Sequence, residues 1–127
     1  MKKIIIENEQ LESIILDESS ITSIEWINEG VDIRMKIYWC GQESYSDKID
    51  MRNIFTNLFF RGVNNVEINF AYTNDFSIGN IEITKFSFEK VDSRYFVHFT
   101  FDFQPQGYIK FQCDGMIFSI VESPRCP

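Results

Sequence analysis

The chain is predicted to be all-β, an antiparallel β-sandwich or partly open β-barrel with at most one short helix. Three features predict it. First, Tyr95, Val97, Phe99, Phe101 and Phe103 occupy every second position, whereas Arg94, His98, Thr100, Asp102 and Gln104 occupy the others. A period of two is the side-chain period of a strand, so one face is aromatic and the other polar, with Phe96 breaking the pattern. Second, Val31, Ile33, Met35, Ile37 and Trp39 alternate with Asp32, Arg34, Lys36, Tyr38 and Cys40. Third, turn signals recur every ~8–12 residues, the spacing of short strands in sandwiches and barrels.

The elements follow in order. Residues 2–6 form a short strand, and Leu11 to Ile24 is less regular, with turn formers at Asp17, Ser19 and Ser20. Ser20 to Asn28 is a strand with Ile21 and Ile27 on one face and Ile24 and Trp26 on the other. Asn28-Glu29-Gly30 turns it into the strand 31–40, giving a hairpin. Gly41 to Asp47 is a loop. Residues 48–60 fit both an amphipathic helix and a gapped strand, and their β-branched and aromatic content favours strand.

Arg61 to Asn65 is a turn, Val66 to Tyr72 a strand and Thr73 to Asn80 a loop. In the strand 81–91 the apolar phase slips from Ile81 and Ile83 to Phe86 and Phe88, which predicts a β-bulge near Thr84-Lys85. The strand 94–104 ends at the Gln104-Pro105-Gln106-Gly107 turn. Tyr108 to Cys113 and Gly115 to Val121 read as a hairpin about Asp114-Gly115. Residues 1–122 form one β domain, and 123–127 an irregular tail.

At 127 residues, with 44% hydrophobic and 24% charged residues, the chain is sized for one core without metal or disulfide support. All thirteen phenylalanines follow residue 54. Cys40, Cys113 and Cys126 make an odd set at unrelated spacings, as expected for thiols in a reducing cytoplasm. Three isoleucines after Met-Lys-Lys are too few for a signal peptide, and no run approaches the ~18 apolar residues of a membrane span.

The net charge of −7 is uneven. Residues 1–32 hold eight acids against Lys2 and Lys3, so −6 of it lies there. Such a field disfavours phosphates and favours a basic protein partner. Glu7, Glu9, Glu12, Asp17, Glu18, Glu25 and Glu29 are the candidate partner-binding residues.

Catalytic signatures are sparse. His98 is the sole histidine, and Asp102 on its face lies roughly 13 Å along the strand, too far for a dyad. There is no G-x-S-x-G elbow and no glycine-rich nucleotide cradle. One histidine and no cysteine pair leave no ligand set for a transition metal, and no cofactor is expected. Glu67, Glu82 and Asp102 are carboxylates on polar strand faces. Trp26, Tyr38, Trp39, Tyr45, Tyr72 and Tyr108 are candidates for a stacking platform, Trp39 being placed in the core. Arg34, Lys36 and Tyr38 form a candidate contact stripe.

The hairpin about Ile24-Glu25-Trp26 and Val31-Asp32-Ile33-Arg34, the segment Phe60 to Ile68 and the closing run Ile109 to Ile117 resemble small bacterial immunity proteins of polymorphic toxin systems, the immunity protein 50 group. The resemblance implies a cytoplasmic, non-enzymatic protein that neutralises a cognate toxin domain by binding it. The alternative is a small-ligand-binding sandwich or barrel with phenylalanines lining a cavity. A homodimer through edge-strand pairing is compatible with either.

Overall fold

A computed structural model of the protein describes residues 3–39, 54–71, 81–102 and 106–121. Among them, ten strands form two antiparallel sheets. The strands are β1 (Lys3–Glu7), β2 (Ser20–Ile27), β3 (Asp32–Trp39), β4 (Ile54–Arg61), β5 (Asn64–Ala71), β6 (Ile81–Glu82), β7 (Lys85–Val91), β8 (Arg94–Phe101), β9 (Gln106–Cys113) and β10 (Gly115–Val121). The larger sheet has the order β1-β10-β4-β3-β2-β6, and the smaller β5-β9-β8-β7. They pack face to face as a sandwich and do not close into a barrel.

The core follows from the alternation. Tyr95, Val97, Phe99 and Phe101 are buried, as are Ile33, Met35, Ile37 and Trp39 on the opposing sheet. Phe60 of the larger sheet makes edge contacts with Phe99 and Phe111 of the smaller, at centroid distances of 6.2 and 4.7 Å. Trp39 packs on Phe118 and donates through Nε1 to the Ile15 carbonyl at 2.9 Å. Each fully buried ring contributes roughly 1.5–3 kcal/mol.

Several expectations are corrected. Asp114-Gly115 does not close a hairpin: β9 pairs with β5 and β8, whereas β10 pairs with β1 and β4. The chain bends at Asp114 and passes between sheets. The phase slip at residues 81–91 has the same origin. Ile81–Glu82 pairs with β2 in one sheet and Lys85–Val91 with β8 in the other, so the parity change marks a change of sheet rather than a bulge. The Arg61 to Asn65 turn contracts to Gly62-Val63, a third crossing, from β4 to β5. Strands that switch sheets through a bend are how corners are made in orthogonal sheet packings.

In β2 a register shift between Ile21 and Ser23 changes which residues share a face. Ile21, Ile24 and Trp26 stand opposite Ile37, Met35 and Ile33, all on the core side, and Ile27 stands opposite Asp32. Residues 54–60 are strand. The remainder of that ambiguous segment, 48–53, lies outside the described residues, as do the 41–47 loop, Tyr45, Tyr72 and the 123–127 tail. The helical element falls elsewhere, as a 3-10 helix over Asn8–Ser13 with Leu11 buried beneath it.

Candidate partner-binding surface

The first acids follow directly from the end of β1. Asn8 takes a positive φ of 50° and its Oδ1 accepts the Met116 N–H at 2.9 Å, which turns the chain into the 3-10 helix. The Glu7 N–H donates to Gln10 Oε1 at 3.1 Å. Burying Leu11, Ile14 and Leu16 leaves Glu7, Glu9, Glu12, Asp17 and Glu18 exposed. Glu7, Glu12 and Asp17 form no ion pair with any described residue.

Glu9 differs. Lys90 Nζ of β7 lies 2.9 Å from its carboxylate. The hydrogen bond from Lys90, then one from the Tyr95 hydroxyl, hold its pKa down at about 2. Glu9 thus ties the N-terminal segment to the smaller sheet.

Glu25 and Glu29 lie apart from this group. Glu25 stands in one cross-strand row with Arg34, Phe59, Ile117 and Glu7 on the outer face of the larger sheet. Four strand spacings place it roughly 19 Å from Glu7. Arg34 Nη2 donates to Glu25 at 2.9 Å, and Lys36 Nζ lies 3.9 Å away. The Arg34 bond leads in lowering the Glu25 pKa. Two members of the Arg34-Lys36-Tyr38 stripe are therefore occupied by Glu25, and Tyr38 packs edge-on against Phe55. Glu29, at φ 62°, is exposed in the β2–β3 turn.

Trp26 is 53% exposed although its register faces inward. Ile24 and Val31 are exposed beside it in the same hairpin. The hairpin thus presents an apolar patch with Glu29 at its tip. The register of β2 decides this exposure, and the shift at Ile21/Ser23 has no signature in the hydrophobic pattern.

The outward face of the smaller sheet carries a second group, which no sequence motif assembles. Ser87, His98, Lys110 and Glu67 form one cross-strand row, and Glu89, Phe96, Gln112 and Asn64 the next. A concavity of about 480 Å³ lies over them. His98 faces Ser87 and Lys110, not a carboxylate. Partial burial, then Lys110 and Lys85, lower its pKa, so it is neutral at pH 7. Asp102 is separate, its N–H donating to Thr84 Oγ1 at 2.9 Å. Among the described residues no group of three or more His, Cys, Asp or Glu side chains is placed to hold a metal ion.

No family model and no curated protein matches the chain. Its fold is similar to the crystal structure of an uncharacterized protein from Neisseria gonorrhoeae, with a TM-score of 0.58 and 11% identity over 93% of this chain and 97% of that one. At that identity the likeness concerns the fold alone. No helix among the described residues is long and apolar enough to cross a membrane.

Proposed function

We propose that this chain is a non-enzymatic binding protein that neutralises a cognate bacterial toxin domain by occupying a basic surface of it. The observation that carries the reading is the exposed run Glu7, Glu12 and Asp17, without ion pairs among the described residues, in a segment with no Lys or Arg from 4 to 33. Unpaired surface carboxylates contribute little to folding, but they steer a cationic partner and speed association. Trp26, with Ile24 and Val31, supplies the kind of apolar anchor on which interface energy concentrates. The resemblance to immunity proteins supports this reading and implies a cytoplasmic role. Nucleic acid is disfavoured as a partner by the same charge.

The test pairs the protein with a toxin domain encoded by a neighbouring gene, where one is found. Glu12, Asp17 and Glu29 are reversed to Lys; Glu9 and Glu25 are left because they hold Lys90 and Arg34, Glu7 because its side chain closes the capping box of the 3-10 helix, and Glu18 because it too has a partner. The association rate is expected to fall at least tenfold, and that of the wild type to fall with added salt. Unchanged binding and unchanged protection of cells by the reversed variant would sink the electrostatic reading.

A further inference from the structure

We infer that the outward face of the smaller sheet is a binding site for a neutral saccharide, with the C–H face of a sugar ring on Phe96 and its hydroxyls among Glu67, Glu89, His98, Lys110 and Gln112. Antiparallel pairing brings these groups together: β8 and β9 supply the floor, and the edge strands β7 and β5 supply Glu89 and Glu67 as opposite walls. The concavity of about 480 Å³ lies within the ~300–1,000 Å³ of small-molecule sites.

Phe96 is the telling residue. It stands at an outward position, 42% exposed, with Glu89 and Gln112 directly across from it, Arg94 and His98 along its own strand, and Val91 as an apolar neighbour on one diagonal. Packing does not require a phenylalanine there, whereas a flat apolar platform ringed by hydrogen-bonding groups suits a ligand with one apolar face and a polar rim.

The polar groups match hydroxyls rather than ions. Glu67 and Glu89 against Lys110 leave the lining at −1, which repels phosphate and carboxylate ligands. The two carboxylates accept, Lys110 donates, and Gln112 and neutral His98 each do both. A sugar hydroxyl also donates and accepts, so all five can be satisfied together. Two of them are held in place beforehand. Tyr108 donates to Glu67, and Lys110 Nζ sits 4.6 Å from the centroid of the Tyr108 ring. Such positioning lowers the ordering cost of binding. His98, Gln112 and Glu89 make no side-chain hydrogen bond to any described residue, so their capacity is unused by the fold.

The experiment is a titration of the ¹⁵N-labelled full chain with neutral disaccharides (maltose, cellobiose, lactose and chitobiose), alongside a neutral-glycan array and uridine and adenosine as controls. Amide shifts confined to β5, β7, β8 and β9 are expected for at least one glycan. Phe96→Ala should weaken that binding at least tenfold while leaving the remaining spectrum folded, and Gln112→Ala should weaken it severalfold. Three results would overturn the proposal: no glycan binding at millimolar concentration, equal binding by Phe96→Ala, or binding of the nucleosides alone. None of these bears on the acidic surface, because Glu7, Glu12 and Asp17 lie outside the groove.

Discussion

Arg94, the first residue of β8, reaches across the junction of the two sheets to Asp114, with Nη1 2.5 Å from Oδ1. Its Nη2 donates to the Gly62 carbonyl at 3.1 Å and to Asn64 Oδ1 at 2.8 Å. Gly62 and Asp114 are the points where β4 passes into β5 and β9 into β10. The Asp114 N–H also donates to the Arg61 carbonyl at 2.7 Å, and the Gly62 N–H donates to Asp32 Oδ1 at 3.0 Å. One guanidinium therefore holds two sheet crossings in register.

Arg94→Ala should destabilise the fold by roughly 1–3 kcal/mol, since it removes three charge-assisted bonds at a partly exposed site. Arg94→Lys should recover little, because an ammonium cannot span the forked arrangement. Urea unfolding checks this: the midpoint should fall with the slope unchanged.

Gly62→Ala tests the same corner from the backbone. Gly62 has φ +62°, and a Cβ there would overlap the Asp114 carboxylate and push it from Arg94. The cost should be about 1–3 kcal/mol and should be less than additive with Arg94→Ala in a double-mutant cycle. Full additivity would mean that Gly62 and Arg94 do not share the Asp114 contact.

The two tryptophans should behave oppositely. Trp39 is 1% exposed, and Trp39→Ala should cost roughly 3–5 kcal/mol. Trp26→Ala should change stability by little, about 0.5 kcal/mol or less, yet weaken binding to the toxin partner proposed above. Acrylamide quenching of single-tryptophan variants (Trp26→Phe and Trp39→Phe) should find Trp26 accessible and Trp39 protected.

Acid should loosen the Glu9 tie. Its carboxyl is held at about 2 when folded, against 4.5 ordinarily. A depressed folded pKa gives stability that is present above the unfolded value and lost as pH falls from about 4.5 to about 2. Its partner Tyr95 is pushed the other way, to about 12, by burial first and then by Glu9. That contribution is complete below about pH 10 and lost as pH rises towards 12. The stability gap between wild type and Glu9→Gln should therefore be greatest near neutrality and close through the acid window, in urea midpoints from pH 2 to 7.

Cys113 should be inert. It is fully buried, and desolvation pushes its thiol up to about 12. In a Cys40→Ser, Cys126→Ser background, a thiol reagent at pH 8 should react only at the rate of unfolding. Immediate labelling under native conditions would contradict the burial.

The alternation of Tyr95, Val97, Phe99 and Phe101, and of Ile33, Met35, Ile37 and Trp39, was enough to establish strands, their inner faces and an antiparallel sandwich as one of two layouts. Side-chain period is a local property of the backbone, so it can be read from neighbours in the chain. The concentration of acids before residue 33 is likewise a fact of the sequence. Sheet membership is not local. The parity slip after Ile83 and the Asp114-Gly115 pair look the same whether a strand bulges, turns back or crosses to another layer. Only the pairing partners distinguish these, and they lie tens of residues away. For the same reason the sequence determined which residues are acidic, aromatic or basic, whereas the tertiary structure decided that Glu9 meets Lys90, Glu25 meets Arg34, Trp26 is left uncovered and Phe96 stands in a groove beside Lys110.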